Sequence, residues 1–189
     1  SDDSTLVNLA EDYGYHSWTY DKFHEWSEEY GEDTTPAHIE AMYDEAVKIA
    51  DNKVGNLIDI LTNKNILEDT ILVILSDHGE SLGEHRIYFD HHGLYDETIK
   101  IPMIINHPMI DQVGCVSEFV QITDIAPTIL DLINLSHDMN SDGSSLVKHM
   151  MGKNDSFSRN AILAEEAHTQ RKRMIRTDEY KCIWSIRNN

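Results

Sequence analysis

Basic residues are scarce. Lys and Arg total 15 against 34 Asp plus Glu, a formal net charge of -19. A nucleic-acid backbone or an anionic membrane surface needs clustered Lys and Arg, so this balance argues against both as partners. The one short basic run, Arg171-Lys172-Arg173, is flanked by acids and reads as a solvated strand end. Long apolar runs are missing too. The longest aliphatic stretches, Ile71 to Leu75 and Ile101 to Ile105, fall far short of the ~20 residues that span a bilayer, so no transmembrane helix is expected. The N-terminal stretch is acidic and aromatic, with no basic n-region or apolar h-region, and is not expected to be a signal peptide. Only two cysteines occur, Cys115 and Cys182, without CxxC or zinc-knuckle spacing. Both lie in apolar, strand-like segments and read as small buried hydrophobes, which leaves the redox compartment open.

What remains is the composition of a folded chain. Apolar residues make up 40% and charged residues 26% of 189, too apolar for a disordered segment and enough for one domain with a small appendage. Met42, Ala46, Ile49, Val54, Leu57, Ile58 and Leu61 recur at helical spacing. Thr35 can cap this helix and Pro36 suits its first turn, so a helix is expected from Pro36 to about Thr62, closed by Asn63-Lys64-Asn65. Ile71 to Leu75 is short, apolar and β-branched, as in a buried central strand of a parallel sheet. Ile101 to Ile105 reads as a second strand with Pro102 at its start. Asp124 is expected to serve only as the cap of a helix carrying Ile125, Ile129, Leu132 and Ile133, with Pro127 in its first turn. Residues 136 to 160 look loop-like, and Ala161 to Ala167 and Lys172 to Ile186 look like paired strands. The fold class is therefore α/β with a small C-terminal antiparallel unit. The expected division is an acidic aromatic lead-in over 1–35, an α/β part over 36–150 and the start of an antiparallel subdomain over 151–189. The aromatics of the lead-in (Tyr13, Tyr15, Trp18, Tyr20, Phe23 and Trp26) suit a patch packed on another domain, with sugar stacking as the other use.

The chemistry concentrates in one segment, Ser76-Asp77-His78-Gly79-Glu80-Ser81-Leu82-Gly83-Glu84-His85, continuing to Asp90-His91-His92-Gly93. It begins at the carboxyl end of the strand Ile71 to Leu75, where ligands collect in open α/β sheets. Asp77 and His78 leave the strand together. A carboxylate oxygen and a neutral imidazole nitrogen can share one divalent ion. Glu80 can orient His78 from behind, as metal-bound imidazoles require. His85 reads equally well as a surface residue, and Lys100 as a solvated residue at a strand edge.

This segment, with the Tyr95-Asp96-Glu97-Thr98-Ile99-Lys100-Ile101-Pro102 that follows, resembles the sulfatase family of the alkaline-phosphatase superfamily. Four further stretches resemble family motifs in the same order. They are Tyr43-Asp44-Glu45-Ala46 through Val54-Gly55, Gln121-Ile122-Thr123-Asp124-Ile125-Ala126-Pro127-Thr128, Asp142-Gly143-Ser144-Ser145-Leu146, and Arg176-Thr177-Asp178-Glu179-Tyr180-Lys181. The resemblance runs from about residue 40 to 186.

The resemblance implies a partial alkaline-phosphatase-like sheet with flanking helices. It also implies a divalent cation, usually Ca2+ in sulfatases, with Mg2+, Mn2+ or Zn2+ as other occupants. Asp77 and His78 fall on two of its ligand positions. His91 falls where the family places a cationic side chain that binds the sulfate or the leaving-group oxygen, and His92 takes that place if the alignment shifts by one. As imidazolium, such a histidine can hold an anion or protonate a leaving oxygen. The family nucleophile is a formylglycine made in a Cys/Ser-x-Pro/Ala-x-Arg motif. Neither cysteine fits that motif, and no serine does; Ser156-Phe157-Ser158-Arg159 lacks the Pro or Ala. Asp2-Asp3 is not preceded by the apolar strand expected of the family's early Asp-Asp ligand pair. The expectation is a C-terminal portion of a sulfatase-like catalytic domain without its formylglycine segment. By itself it should bind metal weakly, hydrolyse nothing and self-associate through exposed sheet edges. Two other readings stand beside it. One is a phosphonate or phosphodiester hydrolase or a phosphoethanolamine transferase of the same superfamily; the other is a non-catalytic remnant.

Overall fold

A computed structural model describes residues 25–29, 31, 35–111, 113–135, 141–152, 159–167 and 171–186. The aromatic residues expected to form a lead-in patch lie outside these, except Trp26, whose ring meets Phe89 edge-on at 5.6 Å. The chain forms two compact units. The first comprises residues 1–67, 77–92 and 96–101; the second comprises 68–76, 93–95 and 102–189.

The first unit is led by a long helix, α1 (Pro36–Asn63). Its start is set locally: the Thr35 hydroxyl accepts from the His38 N–H, and proline occupies the first turn, where a missing donor costs nothing. It ends at Lys64, and Asn65 turns the chain with φ 54°. No residue of α1 is buried, and Ile49, Leu57 and Ile60 are among its exposed apolar side chains. The same unit holds a short antiparallel pair, β2 (Ser81–Leu82) with β3 (Tyr88–Asp90), and a single turn of helix, α2 (Asp96–Ile99). The loop joining β2 to β3 is tied down by Ser81. Its buried hydroxyl donates to the Ile87 carbonyl at 2.9 Å and lies 3.1 Å from the Glu84 carbonyl.

The second unit contains β1 (Leu72–Leu75) paired with β4 (Met103–Asn106), helices α3 (Ile125–Leu132) and α4 (Val147–Met150), and the three-stranded sheet β5 (Ile162–Ala167), β6 (Arg171–Arg176), β7 (Lys181–Ser185). Its core is Leu94, Leu132, Leu146 and Met174, the buried large apolar side chains among the described residues. β1 departs from the expected parallel central strand. It runs antiparallel to β4, with Leu72 opposite Asn106 and Leu75 opposite Met103, and Leu75 and Ile104 are exposed. Pro102 stands one residue ahead of β4, so no ladder donor is lost.

The C-terminal sheet is antiparallel throughout, in the order β5-β6-β7. The second expected strand is split by a turn in which Thr177 N–H donates to the Tyr180 carbonyl. The basic run Arg171–Arg173 begins β6 and faces acids on β5: Arg171 and Arg173 reach Glu165, and Lys172 lies 3.6 Å from Glu166. Both cysteines are exposed rather than buried. Cys115 lies outside any strand, and Cys182 lies on an open face of β7, a choice of side that residue type alone does not make.

Asp124 is more than a helix cap. It is fully buried, makes no side-chain cap bond to α3, and accepts both guanidinium nitrogens of Arg159 at 2.6 and 2.7 Å. It also accepts the N–H groups of Gln121 at 2.7 Å and Ser144 at 2.8 Å. Burial pushes its carboxyl up, but the Arg159 contact and the two amides outweigh that and hold it below its ordinary value. Residues 136–160, expected as loop, include the turn of helix α4.

Candidate functional site

Asp77 is the second residue after β1, with Ser76 between them. Its Oδ1 accepts the His78 N–H at 2.9 Å, and its Oδ2 lies 3.8 Å from His78 Nε2. Two ligands about 2.1–2.5 Å from one cation, about 90–110° apart, are separated by roughly 3–4 Å, so these two atoms can reach the same ion. His78 Nδ1 lies 2.8 Å from the Gly79 carbonyl oxygen. A carbonyl only accepts, so Nδ1 carries the proton and, in the neutral ring, Nε2 presents its lone pair. The donor set, one carboxylate and one oriented imidazole nitrogen, fits a divalent cation. Asp77 is open to solvent, with 87% of its side chain exposed.

Gly79 anchors this corner. Its N–H donates to the Thr98 carbonyl at 2.9 Å, and a Cβ there would lie 2.0 Å from the Glu97 carbonyl oxygen. Only glycine lets the chain approach α2 so closely. His85 sits in the left-handed region at φ 56°, and its Nε2 is 3.6 Å from Glu97 Oε2. Contact with α2 thus reaches both ends of the Asp77–His85 segment. Lys100 is exposed, as expected.

The histidines converge through the β2–β3 ladder. Ser81 pairs with Asp90, and continuing that register by one residue sets Glu80 opposite His91. The rings of His78 and His91 stack, with centroids 4.2 Å apart and planes 22° apart; His91 and His92 are 4.6 Å apart. His92 is held to Asp90, whose Oδ1 accepts its N–H at 3.0 Å. Two sets bring three ligand atoms within 4.8 Å of one another: His78, Glu80 and His91, and Asp90, His91 and His92. His78 and His91 are thus together, and His92 joins only the second set. Asp77 is in neither, and it reaches His78 of the first set.

Sequence reasoning placed Glu80 behind His78; its position beside both His78 and His91 was missed. The available signal was the His-x-Glu spacing, which needs the strand register to become a convergence. Burial pushes the Glu80 carboxyl up, with the charges of His91 and His78 working against that. Glu84 is held down by backbone N–H groups, among them that of Leu82 at 2.8 Å.

With this geometry in hand, similarity to known proteins is informative. The profile described as Sulfatase matches residues 13–135, and the one described as N-sulphoglucosamine sulphohydrolase, C-terminal, matches 83–188. The chain is 31% identical to chicken (Gallus gallus) arylsulfatase K over 157 residues, 77% of this chain and 29% of that protein. It is 32% identical to N-acetylglucosamine-6-O-sulfatase of Bacteroides thetaiotaomicron over 72% of this chain and 26% of that protein. A solved structure in complex with its substrate D-glucosamine-2-N,6-O-disulfate superposes with a TM-score of 0.67 at 29% identity, covering 72% of this chain and 29% of that one. Phosphonate monoester hydrolase of Agrobacterium radiobacter, at 24% identity and TM-score 0.72 over 79% of this chain and 33% of that one, shares the fold. The chain spans less than a third of the length of these curated relatives.

Proposed function

Because the chain belongs to the sulfatase family of the alkaline-phosphatase superfamily, we propose that it forms part of a metal-dependent sulfuric ester hydrolase. Asp77 and His78 hold a divalent cation, Ca2+ first and Mg2+, Mn2+ or Zn2+ otherwise. The bound cation supplies Lewis-acid polarisation of the sulfate oxygens. His91, or His92 in its place, holds the sulfate anion and carries the proton for the leaving oxygen. Gly79 fixes the tautomer of His78 through its carbonyl, and α2 fixes Gly79. The nucleophile, a formylglycine in this reading, lies outside these 189 residues. The substrate class is a sulfated sugar, as for the N-acetylglucosamine-6-O-sulfatase and the solved neighbour bound to a disulfated glucosamine. The same reading takes 36–150 as the C-terminal part of the α/β domain, after a lead-in over 1–35, and 151–189 as the start of the C-terminal subdomain.

The observation that carries this reading is the pairing of Asp77 Oδ2 with an oriented His78 Nε2 at 3.8 Å, just after β1. The test is turnover of an aryl sulfate and of a sulfated glucosamine by the complete protein, with and without Asp77→Ala. A loss of about a hundredfold or more is expected, since removing a cation ligand removes both binding and polarisation. Unchanged turnover, or none in the parent, overturns the reading in favour of a non-catalytic module. Hydrolysis of a phosphonate ester alone moves it to the phosphoryl relatives.

A further inference from the structure

We propose that Glu166, on the C-terminal sheet, is a positioning residue for the His91–His92 pair: its carboxylate holds the peptide that joins His92 to Gly93. Gly93 N–H donates to Glu166 Oε2 at 3.0 Å, across 73 residues of chain. Both residues lie in the second compact unit. Gly93 is buried, so its N–H needs a partner within the protein, and a carboxylate is among the strongest acceptors a side chain offers.

The peptide on the other side of His92 is held in the same way. Its N–H is the one donated to Asp90 Oδ1 at 3.0 Å. Two carboxylates therefore fix the two peptide planes that flank His92, and with them its backbone dihedrals. The first of these planes contains the His91 carbonyl, so His91 is constrained by the same pair. Gly93 follows at φ 110°, a left-handed conformation that glycine adopts without strain, and Leu94 after it is part of the core.

Glu166 is itself held. It stands opposite Lys172 in the β5–β6 register, with Oε2 3.6 Å from Lys172 Nζ and 12% of its side chain exposed. The alternation of β5 separates it from its neighbour: Glu165 is open to solvent and pairs with Arg171 and Arg173, while Glu166 faces the other side. The functional meaning rests on the reading above, in which this histidine pair holds the sulfate and carries the proton for the leaving oxygen. Misplacing a reacting group by about an ångström costs up to a hundredfold in rate. A sugar oxygen is a poor leaving group and needs the proton; a nitrophenolate leaves with little help.

The experiment has two arms. In the 189-residue chain, hydrogen exchange of the Gly93 amide and the imidazole NMR signals of His91 and His92 are followed for wild type, Glu166→Ala, Glu166→Gln and Glu165→Gln. Glu166→Ala is expected to lower Gly93 protection about tenfold or more and to shift the His92 signals, as loss of a charge-assisted hydrogen bond requires. Glu166→Gln keeps an accepting oxygen and recovers most of both; Glu165→Gln changes neither. In the complete protein, kcat and KM are measured for a nitrophenyl sulfate and for a sulfated glucosamine. Glu166→Ala is expected to lower kcat for the sugar sulfate at least about tenfold, with nitrophenyl sulfate and both KM values changed less than about threefold, and Glu166→Gln restores most of the loss. A role in stability alone would lower both substrates equally, and that result overturns the proposal. So does wild-type protection of Gly93 in Glu166→Ala. Should Glu166→Ala not fold, Glu166→Asp decides the matter, since it keeps the charge and withdraws the acceptor by one methylene. No turnover in the parent, or full turnover with both histidines replaced by alanine, sinks the function proposed above; the exchange arm still decides this inference.

Discussion

Removing the Asp124 carboxylate should cost the chain more stability than any surface change. Asp124 is wholly buried, and 14% of the Arg159 side chain is exposed. The carboxylate receives four hydrogen bonds, two from the guanidinium and one each from the Gln121 and Ser144 amides. Arg159 also donates to the Phe119 carbonyl at 3.3 Å. Asp124→Ala strands a buried guanidinium and two amides. Breaking a buried pair from one side costs about 3–5 kcal/mol, and each orphaned amide adds up to ~1–3 where water cannot reach it. Because water enters the vacated volume, we take ~3–5 kcal/mol as the total. That corresponds to a fall in melting temperature of roughly 6–20 °C for a chain of this size. Arg159→Ala should cost about as much, since it strands the carboxylate. The assay is urea unfolding at neutral pH, followed by circular dichroism, for both single variants and the double variant. The double should lie about 2–3 kcal/mol short of the sum of the singles. Single losses below about 1 kcal/mol, or strict additivity, would refute the argument. The acid side gives a second check. The folded Asp124 carboxyl lies below its ordinary value of about 3.9, so its contribution is fully present above that value and is lost as pH falls through the lower, folded value. Asp124→Asn should lack this part of the acid limb.

Gly79→Ala should open the Gly79–Thr98 bond and weaken cation binding, because the new Cβ would lie 2.0 Å from backbone at Glu97; retained binding would contradict the close approach. Gly143→Ala should destabilise by at least ~1–3 kcal/mol in the same urea assay, since its Cβ would fall 1.9 Å from the Thr123 carbonyl oxygen; a neutral result would refute that packing. Glu165→Gln should leave the melting temperature unchanged within error, because Glu165 and Arg173 are both about half exposed and solvent screens them. A marked drop would show that this pair acts as more than a surface contact. Sedimentation should show concentration-dependent self-association of the isolated chain, given exposed Leu57, Ile60, Ile104 and Leu163. A clean monomer at all concentrations would contradict this.

Much of the fold is local and could be read along the chain. The helix Pro36–Asn63 follows from its apolar spacing, its Thr35 cap and its proline, all within a few residues of where they act. The helix after Asp124, with Pro127 in its first turn, follows from its apolar spacing, although Asp124 makes no side-chain cap bond to it. The motif Asp77-His78-Gly79-Glu80 announced its chemistry because residue type and adjacency alone place a carboxylate beside an imidazole. The partner of β1 could not be read in this way. A run of four or five apolar residues suits either sheet sense, and the choice rests on which distant segment docks there. The exposure of Cys115 and Cys182 was hidden for a related reason: an apolar neighbourhood in sequence does not say which face is covered.

Sequence by itself determined the family, the α/β class, the Thr35 cap of the long helix and the cluster of acids and histidines from Asp77 to His92. These depend on residue identity and on spacings of a few residues. Only the tertiary structure decided that Asp124 meets Arg159 across 35 residues, that β1 runs against β4, and that Glu80 stands between His78 and His91. Each of those contacts needs a loop to close in one register out of several, and register is set by the summed packing of both segments, which no short stretch of either contains.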